Sequence, residues 1–354
     1  WLFDLVDDFV AFEGETALLE LVNQMDGKRD LSKVPNLSYR QNGKITVNQP
    51  FYSENINQLT APNYDGFPLD LYLSPEPVLP VQFSRGCYYK DCAFCALTLD
   101  HQNFRQRDPG KTVDDLVWLK ERYGAQSFFF TDECFALSPT KRLCQQMIDR
   151  QVNVKWTCEL RFEKNLTREL LGQMRDAGCL KIVFGLESFN QRVMDFMKKG
   201  IKQESVRRIV DDCVDLGIAV HCYVIVGFPT EKEEEALDTM NFVVGNKKLH
   251  ESYGFSCQPC LFDLEKEAPI MSDPGSYGIR RIMRPATEDL SLGFFYEVQE
   301  GMTPAQAEQL YQQVYEKISE VVCELPFNYS MADGLLYIAR AKSQALQVPQ
   351  PTGS

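Results

Sequence analysis

The sequence predicts an α/β fold on a parallel sheet, and three features predict it. Between residues 78 and 262 short apolar runs alternate with amphipathic helical patterns; near-continuous apolar runs mark strands buried on both faces, whereas strands with one wet face alternate in polarity. Residues that cap helices and glycines that close them fall at the joins between runs. Six strand-containing units recur, fewer than the eight of a closed barrel, so a partial barrel and an open doubly wound sheet both accommodate them. In either architecture chemistry is expected where strands end and loops begin.

Residues 1–50 read as a strand from Leu5 to Phe12, a helix from Glu15 to Met25, and an antiparallel pair, Leu37 to Tyr39 and Ile45 to Val47, around the Asn42-Gly43 turn. Residues 51–77 carry Pro62, Pro68, Pro75 and Pro77 among Asn and Asp, which is linker chemistry, with a boundary expected near 75. The first strand of the repeating region is Val78 to Phe83, and Thr112 with Asp115 is expected to cap a helix through Tyr123. Ser127 to Thr131 is the second strand, after which Ser138 and Pro139 are expected to open a helix with proline at its first position. Val154 to Leu160 is the third, and a helix carrying Leu166, Leu170, Leu171 and Met174 ends at Gly178. Leu180 to Leu186 is the fourth; its helix presents Val206, Ile209, Val210, Cys213 and Leu216 on one face and closes at Gly217. Val220 to Val226 is the fifth, followed by a helix capped by Thr230 and Glu233, and Tyr253 to Leu261 is the sixth. Residues 263–346 form a C-terminal extension. Its clear helix has Thr303 and Gln306 as a capping box, Pro304 at the first position, and Leu310, Val314, Ile318 and Val321 on one face; 347–354 is a polar, Pro-rich tail expected to be disordered.

Hydrophobic residues make up 44% of the 354 and charged residues 25%, which is globular composition and excludes collagen-like and disordered classes. Lys plus Arg is 37 against Asp plus Glu at 50, a net charge of −13 that disfavours broad phosphate-backbone binding. No apolar run reaches the length of a membrane helix, and no secretory leader is apparent, so a cytoplasmic, reducing compartment is expected. The first residue is Trp1, and the chain is expected to be either a piece of a longer product or a member that lost an N-terminal domain. Twelve cysteines in a chain this long are not needed as disulfide staples; in a reducing compartment cysteines are metal ligands, catalytic thiols or small core residues.

Three of them fall together in Ser84-Arg85-Gly86-Cys87-Tyr88-Tyr89-Lys90-Asp91-Cys92-Ala93-Phe94-Cys95, directly after the first strand of the repeating region. Three thiolates so close can wrap one metal centre and leave a fourth position open for a small molecule. A zinc knuckle would need a fourth ligand at finger spacing, and the nearest histidine is His101. Here the sequence resembles the radical S-adenosylmethionine (radical SAM) enzymes, whose cluster loop follows the first strand of a six-stranded partial barrel and reads C-x3-C-x2-C with an aromatic before the last Cys. Phe94 fits that place, and the first spacing is longer by one residue, C-x4-C-x2-C.

Other strand ends are similar to the same family. They are Phe128-Phe129-Phe130-Thr131-Asp132-Glu133, Phe184-Gly185-Leu186-Glu187-Ser188 and Ile225-Val226-Gly227-Phe228-Pro229-Thr230-Glu231. The resemblance covers about residues 78–262 and implies a partial (β/α)6 TIM-like barrel with a small N-terminal α/β segment and a helical C-terminal extension. It implies that Cys87, Cys92 and Cys95 ligate a 4Fe-4S cluster, that Asp132, Glu133, Glu187 and Ser188 approach the polar end of S-adenosylmethionine, and that Phe94, Gly227 and Phe228 shape its pocket. One electron from the reduced cluster then cleaves S-adenosylmethionine to methionine and a 5′-deoxyadenosyl radical, which abstracts hydrogen from the substrate. Residues 1–50 also resemble the segment joining a cobalamin-binding domain to such a barrel. The Asp-x-His-x-x-Gly loop of that domain is absent, as only His101, His221 and His250 exist, so cobalamin is expected only where a further domain supplies it.

Of the remaining cysteines, Cys257 and Cys260 have redox or ligand spacing and raise the question of a second metal centre that Cys134 or Cys323 would join. In a strand the two point to opposite faces unless Pro259 bends it. Cys144, Cys158, Cys179, Cys213 and Cys222 sit among apolar neighbours and read as core residues. Arg161, at the end of the third strand, and His221 are within reach of the cleft, with surface pairing and core packing the favoured readings. The functional expectation is a radical SAM enzyme acting on a peptide or small metabolite, served by a reductant such as flavodoxin or ferredoxin. The alternatives are an RNA-modifying member of methyl- or methylthiotransferase type, and a non-catalytic iron–sulfur scaffold or electron carrier.

Overall fold

The structure is a computed structural model of the chain and describes residues 2–25, 27, 29–48, 53–72, 76–96, 103–246, 255–284 and 292–321. His101, His250, Cys323, Pro75, the expected start of the sixth strand at Tyr253 and the expected disordered tail lie outside the described residues. The chain divides into two compact units, Trp1–Leu59 and Thr60–Ser354.

In the first unit β1 (Asp8–Val10), β2 (Leu37–Gln41) and β3 (Lys44–Val47) form an antiparallel sheet in that order, with the Asn42-Gly43 turn joining β2 to β3. Helix α1 (Glu15–Met25) packs Ala17 into a small core with Val34, Leu37 and Tyr39. The expected strand from Leu5 to Phe12 is shorter than predicted, because Phe12 takes a left-handed backbone (φ 63°) that ends the extended run.

The second unit is built on six parallel strands: β4 (Val78–Val81), β7 (Ser127–Phe130), β8 (Lys155–Leu160), β9 (Cys179–Glu187), β10 (Ala219–Val226) and β11 (Phe255–Leu261). Between β4 and β7 a two-residue antiparallel pair, β5 (Ser84–Arg85) and β6 (Arg105–Gln106), closes the base of the cysteine loop. The sheet order is β4-β7-β8-β9-β10-β11, each strand beside its predecessor with no reversal. A doubly wound sheet requires a reversal, so this winding is that of a partial TIM-like barrel.

The helices are α2 (Pro109–Tyr123), α3 (Leu137–Asp149), α4 (Arg168–Asp176), the short α5 (Gln191–Phe196), α6 (Gln203–Asp215) and α7 (Glu233–Gly245). They bury one face against the outer side of the sheet, where Phe128, Phe130, Trp156, Cys158, Ile182, Phe184, Cys222 and Val224 meet Leu116, Leu143, Met174, Ile209 and Met240. Each such fully buried side chain stabilises the fold by roughly 1.5–3 kcal/mol relative to exposure. Cys144, Cys158, Cys179, Cys213 and Cys222 are all buried here, as expected of small core residues.

Three helix starts differ from the sequence reading. Helix α2 begins earlier than Thr112, with Pro109 at its first position and the Asp108 carboxylate accepting from the Gly110 and Lys111 N–H groups. Asp115 instead pairs with Arg107. Helix α3 starts at Leu137, which puts Pro139 at its third position, where its missing N–H is still not required. Helix α7 starts at Glu233; Glu235 accepts from the Lys232 N–H, and Thr230 has φ 71°.

After β11 the chain forms a small antiparallel sheet, β12 (Leu264–Glu265), β14 (Gly293–Val298) and β13 (Ile279–Met283) in that order, which the sequence reading missed. Its strands are short and lack a clean apolar alternation. Helix α8 (Pro304–Val321) follows with the expected box: Thr303 N–H donates to Gln306 Oε1 at 2.9 Å, and Gln306 N–H to Thr303 Oγ1 at 3.3 Å. Leu310, Val314 and Ile318 of its apolar face join the main core.

Candidate functional site

The cysteine loop leaves the barrel at the carboxyl end of β4, and its anchorage is set by the residues after β7. Asp132 is 1% exposed. Its carboxylate accepts from the Phe83 N–H at 3.0 Å, from the Ser84 hydroxyl at 2.6 Å and from the Ser84 N–H. Burial outweighs these bonds and pushes its pKa up to about 7. Glu133 accepts from the Gly86 N–H at 3.0 Å. Both acids therefore fasten the first turn of the loop.

The three cysteines differ in setting. Cys87 is half-buried, and a hydrogen bond with the buried thiol of Cys134 is the main cause that lowers its pKa to about 6. Cys92 is buried, which raises its pKa against the opposing charges of Lys199 and Arg161. The Arg161 guanidinium lies 3.7 Å from Cys92 Sγ through Nη1. Cys95 is half-buried beside Phe94, and both line a cavity of about 640 Å³ together with Ile225, Cys260, Phe262 and Asp263. All the described cysteines are free thiols. Among the described residues no three His, Cys, Asp or Glu side chains converge on a point that one metal ion would occupy.

Glu187 closes β9. Its backbone is left-handed (φ 61°), a conformation that costs of order 1–3 kcal/mol in a residue with a Cβ. Leu186 is an extra residue against β10, since Gly185 pairs with Tyr223 and Glu187 with Val224. Such a bulge re-aims the side chain beyond it. Glu187 Oε1 meets Lys199 Nζ at 3.2 Å, with both side chains about nine-tenths buried. Gly185 leaves the room for this pair: a Cβ there would lie 2.6 Å from Glu187 Oε1 and 3.0 Å from Lys199 Nζ. Lys199 Nζ is 5.6 Å from the Phe94 ring, which links Glu187 to the cysteine loop.

The remaining predicted residues are placed differently. Ser188 is buried against α7, its hydroxyl 3.3 Å from Thr239 Oγ1 and accepting from Asn190 N–H at 3.1 Å. Gly227 has φ 86° and donates its N–H to Glu231 Oε2 at 2.7 Å; a Cβ there would lie 2.4 Å from the Ala307 side chain of α8. Phe228 is buried in an apolar cluster with Ala93, Ile225 and Phe262, against which Phe94 packs. Cys257 packs against the main core and Cys260 lines the cavity, so Cys134, which adjoins Cys87, does not complete a centre with them.

Sequence reasoning missed Lys199 and the anchoring role of Ser84, and set Arg161 within reach of the cleft while favouring surface pairing for it. Arg161 is 7% exposed, which corrects its assignment to surface pairing. His221 is a buried neutral histidine held by Ser256 at 2.7 Å, as a core residue should be. Lys199 carries no sequence signal, because a buried lysine in Lys198-Lys199-Gly200 reads as surface charge.

Residues 81–243 match the sequence model of the radical SAM superfamily. An uncharacterized methyltransferase of Pyrococcus horikoshii is 29% identical over 253 residues, covering 70% of this chain and 54% of the relative. The anaerobic magnesium-protoporphyrin IX monomethyl ester cyclase of Rubrivivax gelatinosus is 28% identical, covering 66% of this chain and 44% of its own length. The chain thus spans about half the length of the curated relatives it matches. In fold it is similar to TsrM of Kitasatospora setae, a radical S-adenosylmethionine methyltransferase solved with cobalamin and a [4Fe-4S] cluster, at TM-score 0.67 and 17% identity over 97% of this chain and 78% of that one. It is also similar to OxsB, a cobalamin-dependent S-adenosylmethionine radical enzyme, at TM-score 0.66 and 16% identity over 88% of this chain and 51% of that one. Residues 81–243, which carry most of the barrel, thus match the radical SAM superfamily in sequence, and the barrel is similar in fold to radical SAM enzymes.

Proposed function

We propose that this chain is the catalytic barrel of a radical SAM enzyme, in which Cys87, Cys92 and Cys95 hold a 4Fe-4S cluster and S-adenosylmethionine binds in the adjoining cavity. The observation that carries the reading is the shared wall: Cys95 and Phe94 belong both to the cysteine loop and to the lining of a cavity of about 640 Å³ at the strand ends. The donor set fits the cluster. Three free thiols on one loop, soft sulfur donors with no histidine among them, are the ligand type that iron–sulfur clusters take. Arg161 and Lys199 offset the cost of burying an anionic centre at Cys92.

Held by Cys87, Cys92 and Cys95, such a cluster would supply the one-electron reduction that cleavage of S-adenosylmethionine requires. Glu187 and Glu133 offer carboxylates to the cosubstrate's amino group, and Lys199 a cation to its carboxylate. Phe94, Ile225 and Phe262 provide apolar walls for the adenine. Asp132 fixes the start of the loop, Ser188 holds the end of β9 to α7, Gly227 packs against α8, and Phe228 backs the wall residues Ile225 and Phe262 from behind. The substrate is a small molecule or peptide, and methyl transfer or cyclisation, named for the relatives, is the reaction class. Cobalamin would come from a further domain. A flavodoxin- or ferredoxin-class protein delivers the electron, and the net charge of −13 disfavours nucleic acid as substrate.

The test is anaerobic purification with iron and sulfide analysis, followed by incubation with S-adenosylmethionine and dithionite. Wild type is expected to form 5′-deoxyadenosine, and Cys92→Ala none. Stoichiometric zinc without iron sinks the proposal.

A further inference from the structure

We infer that Arg161 is a positioning residue for the cluster: its guanidinium holds the Cys92 thiolate and raises the reduction potential of the centre which that thiolate ligates. The inference rests on the reading of Cys87, Cys92 and Cys95 as ligands. Arg161 directly follows β8, whose Trp156, Cys158 and Leu160 face the outer core. Strand alternation therefore directs Arg161 to the opposite, inner side, toward the cysteine loop.

The guanidinium is held through both terminal nitrogens and one face. Nη1 lies 3.7 Å from Cys92 Sγ, Nη2 donates to the Lys199 carbonyl, and its flat face lies 3.4 Å from the Tyr89 ring centroid. Glu163 Oε1 is 3.6 Å from Nε, which forms no hydrogen bond. The loop is pinned around this hub: Tyr88 donates its hydroxyl to Glu163 at 2.7 Å, Tyr89 to the Lys198 carbonyl at 2.9 Å, and the Ala93 N–H donates to the Met197 carbonyl at 2.9 Å. A neutral thiol is a weak acceptor, whereas a thiolate makes a charge-assisted bond to a guanidinium.

Uptake of one electron from a reductant breaks no bond and adds one negative charge to the cluster and its thiolates. A cation held beside one thiolate in a nearly dry site favours that more negative state, and hydrogen bonds to the sulfurs act in the same direction. Arg161→Lys keeps the charge without the planar fork, Arg161→Gln keeps a donor without the charge, and Arg161→Met keeps neither.

The experiment is a redox titration of the reconstituted, S-adenosylmethionine-free proteins, followed by the paramagnetic resonance of the reduced cluster. At a fixed poise the ratio of reduced to oxidised cluster is expected to fall about tenfold in Arg161→Met, a shift of ~59 mV for one electron, with Lys and Gln in between. If Met fails to hold iron, the order wild type above Lys and Gln carries the test. Equal potentials in wild type, Lys and Gln overturn the inference while leaving the cluster reading intact. A wild type that holds no iron–sulfur cluster overturns both.

Discussion

Asp132 shows how one side chain sets the geometry of the site without facing the cavity. Its sequence position, just past a strand end in Phe130-Thr131-Asp132-Glu133, marks it as functional, but its two oxygens are occupied by Phe83 and Ser84. Asp132→Ala would leave two buried backbone N–H groups without an acceptor and is expected to cost about 2–4 kcal/mol in urea unfolding of the cluster-free protein. A loss below about 1 kcal/mol would mean that the loop does not depend on this anchor. Arg161 is the converse case. Its position at the end of the third strand sets it within reach of the cleft, but nothing in Leu160-Arg161-Phe162 pairs it with Cys92, since 69 positions separate the two and only the fold brings them together.

At the level of elements, strand ends were legible and helix starts less so. The apolar runs that predicted β7 to β11 agree with the structure to within a residue or two where described, because burial on both faces demands unbroken hydrophobicity. Caps depend on which of several neighbouring polar groups meets the free backbone N–H groups: the Asp108 carboxylate does so in place of Thr112, and the Glu235 carboxylate accepts the Lys232 N–H at the start that was expected at Thr230. The glycines make the same point. Gly217 and Gly227 both have positive φ, 69° and 86°, but a Cβ at Gly217 meets nothing, whereas one at Gly227 lies 2.4 Å from Ala307 of α8. Gly217→Ala is therefore expected to cost about 1–2 kcal/mol from the backbone alone. Gly227→Ala should cost at least about 1 kcal/mol more, as α8 is pushed from the core. Equal melting temperatures for the two variants would refute the packing argument.

For the whole molecule, burial is the main cause that raises the carboxyl groups of Asp115 and Glu265 and, furthest, those of Asp132 to about 7, Glu159 to about 7 and Glu231 to about 8. A carboxyl with a raised folded pKa binds its proton more tightly in the native than in the unfolded state. Its contribution is therefore most favourable at acid pH and is lost as pH rises from about 4 toward its folded value, by up to about 1.4 kcal/mol per pH unit per group. Cys87, with a folded value lowered to about 6, works in the opposite sense up to its ordinary range. The comparison of wild type with Glu231→Gln isolates one group: urea stability measured from pH 5.5 to 8.5 should fall more steeply for wild type. Parallel curves would show that Glu231 does not titrate in this window.

The sequence by itself determined the alternation of strands and helices, the three-cysteine loop after the first barrel strand and the glutamate at the end of β9, because each follows from local pattern: burial, spacing and turn chemistry. Tertiary structure alone decided the single winding of the sheet, the division of the predicted site residues between the cavity wall and its supports, and the pairing of Cys92 with Arg161 and of Glu187 with Lys199. The reason is physical. A hydrophobic period is a property of neighbours along the chain, whereas a buried charge is tolerated only where distant segments bring its partner, and no local pattern records which segment that will be.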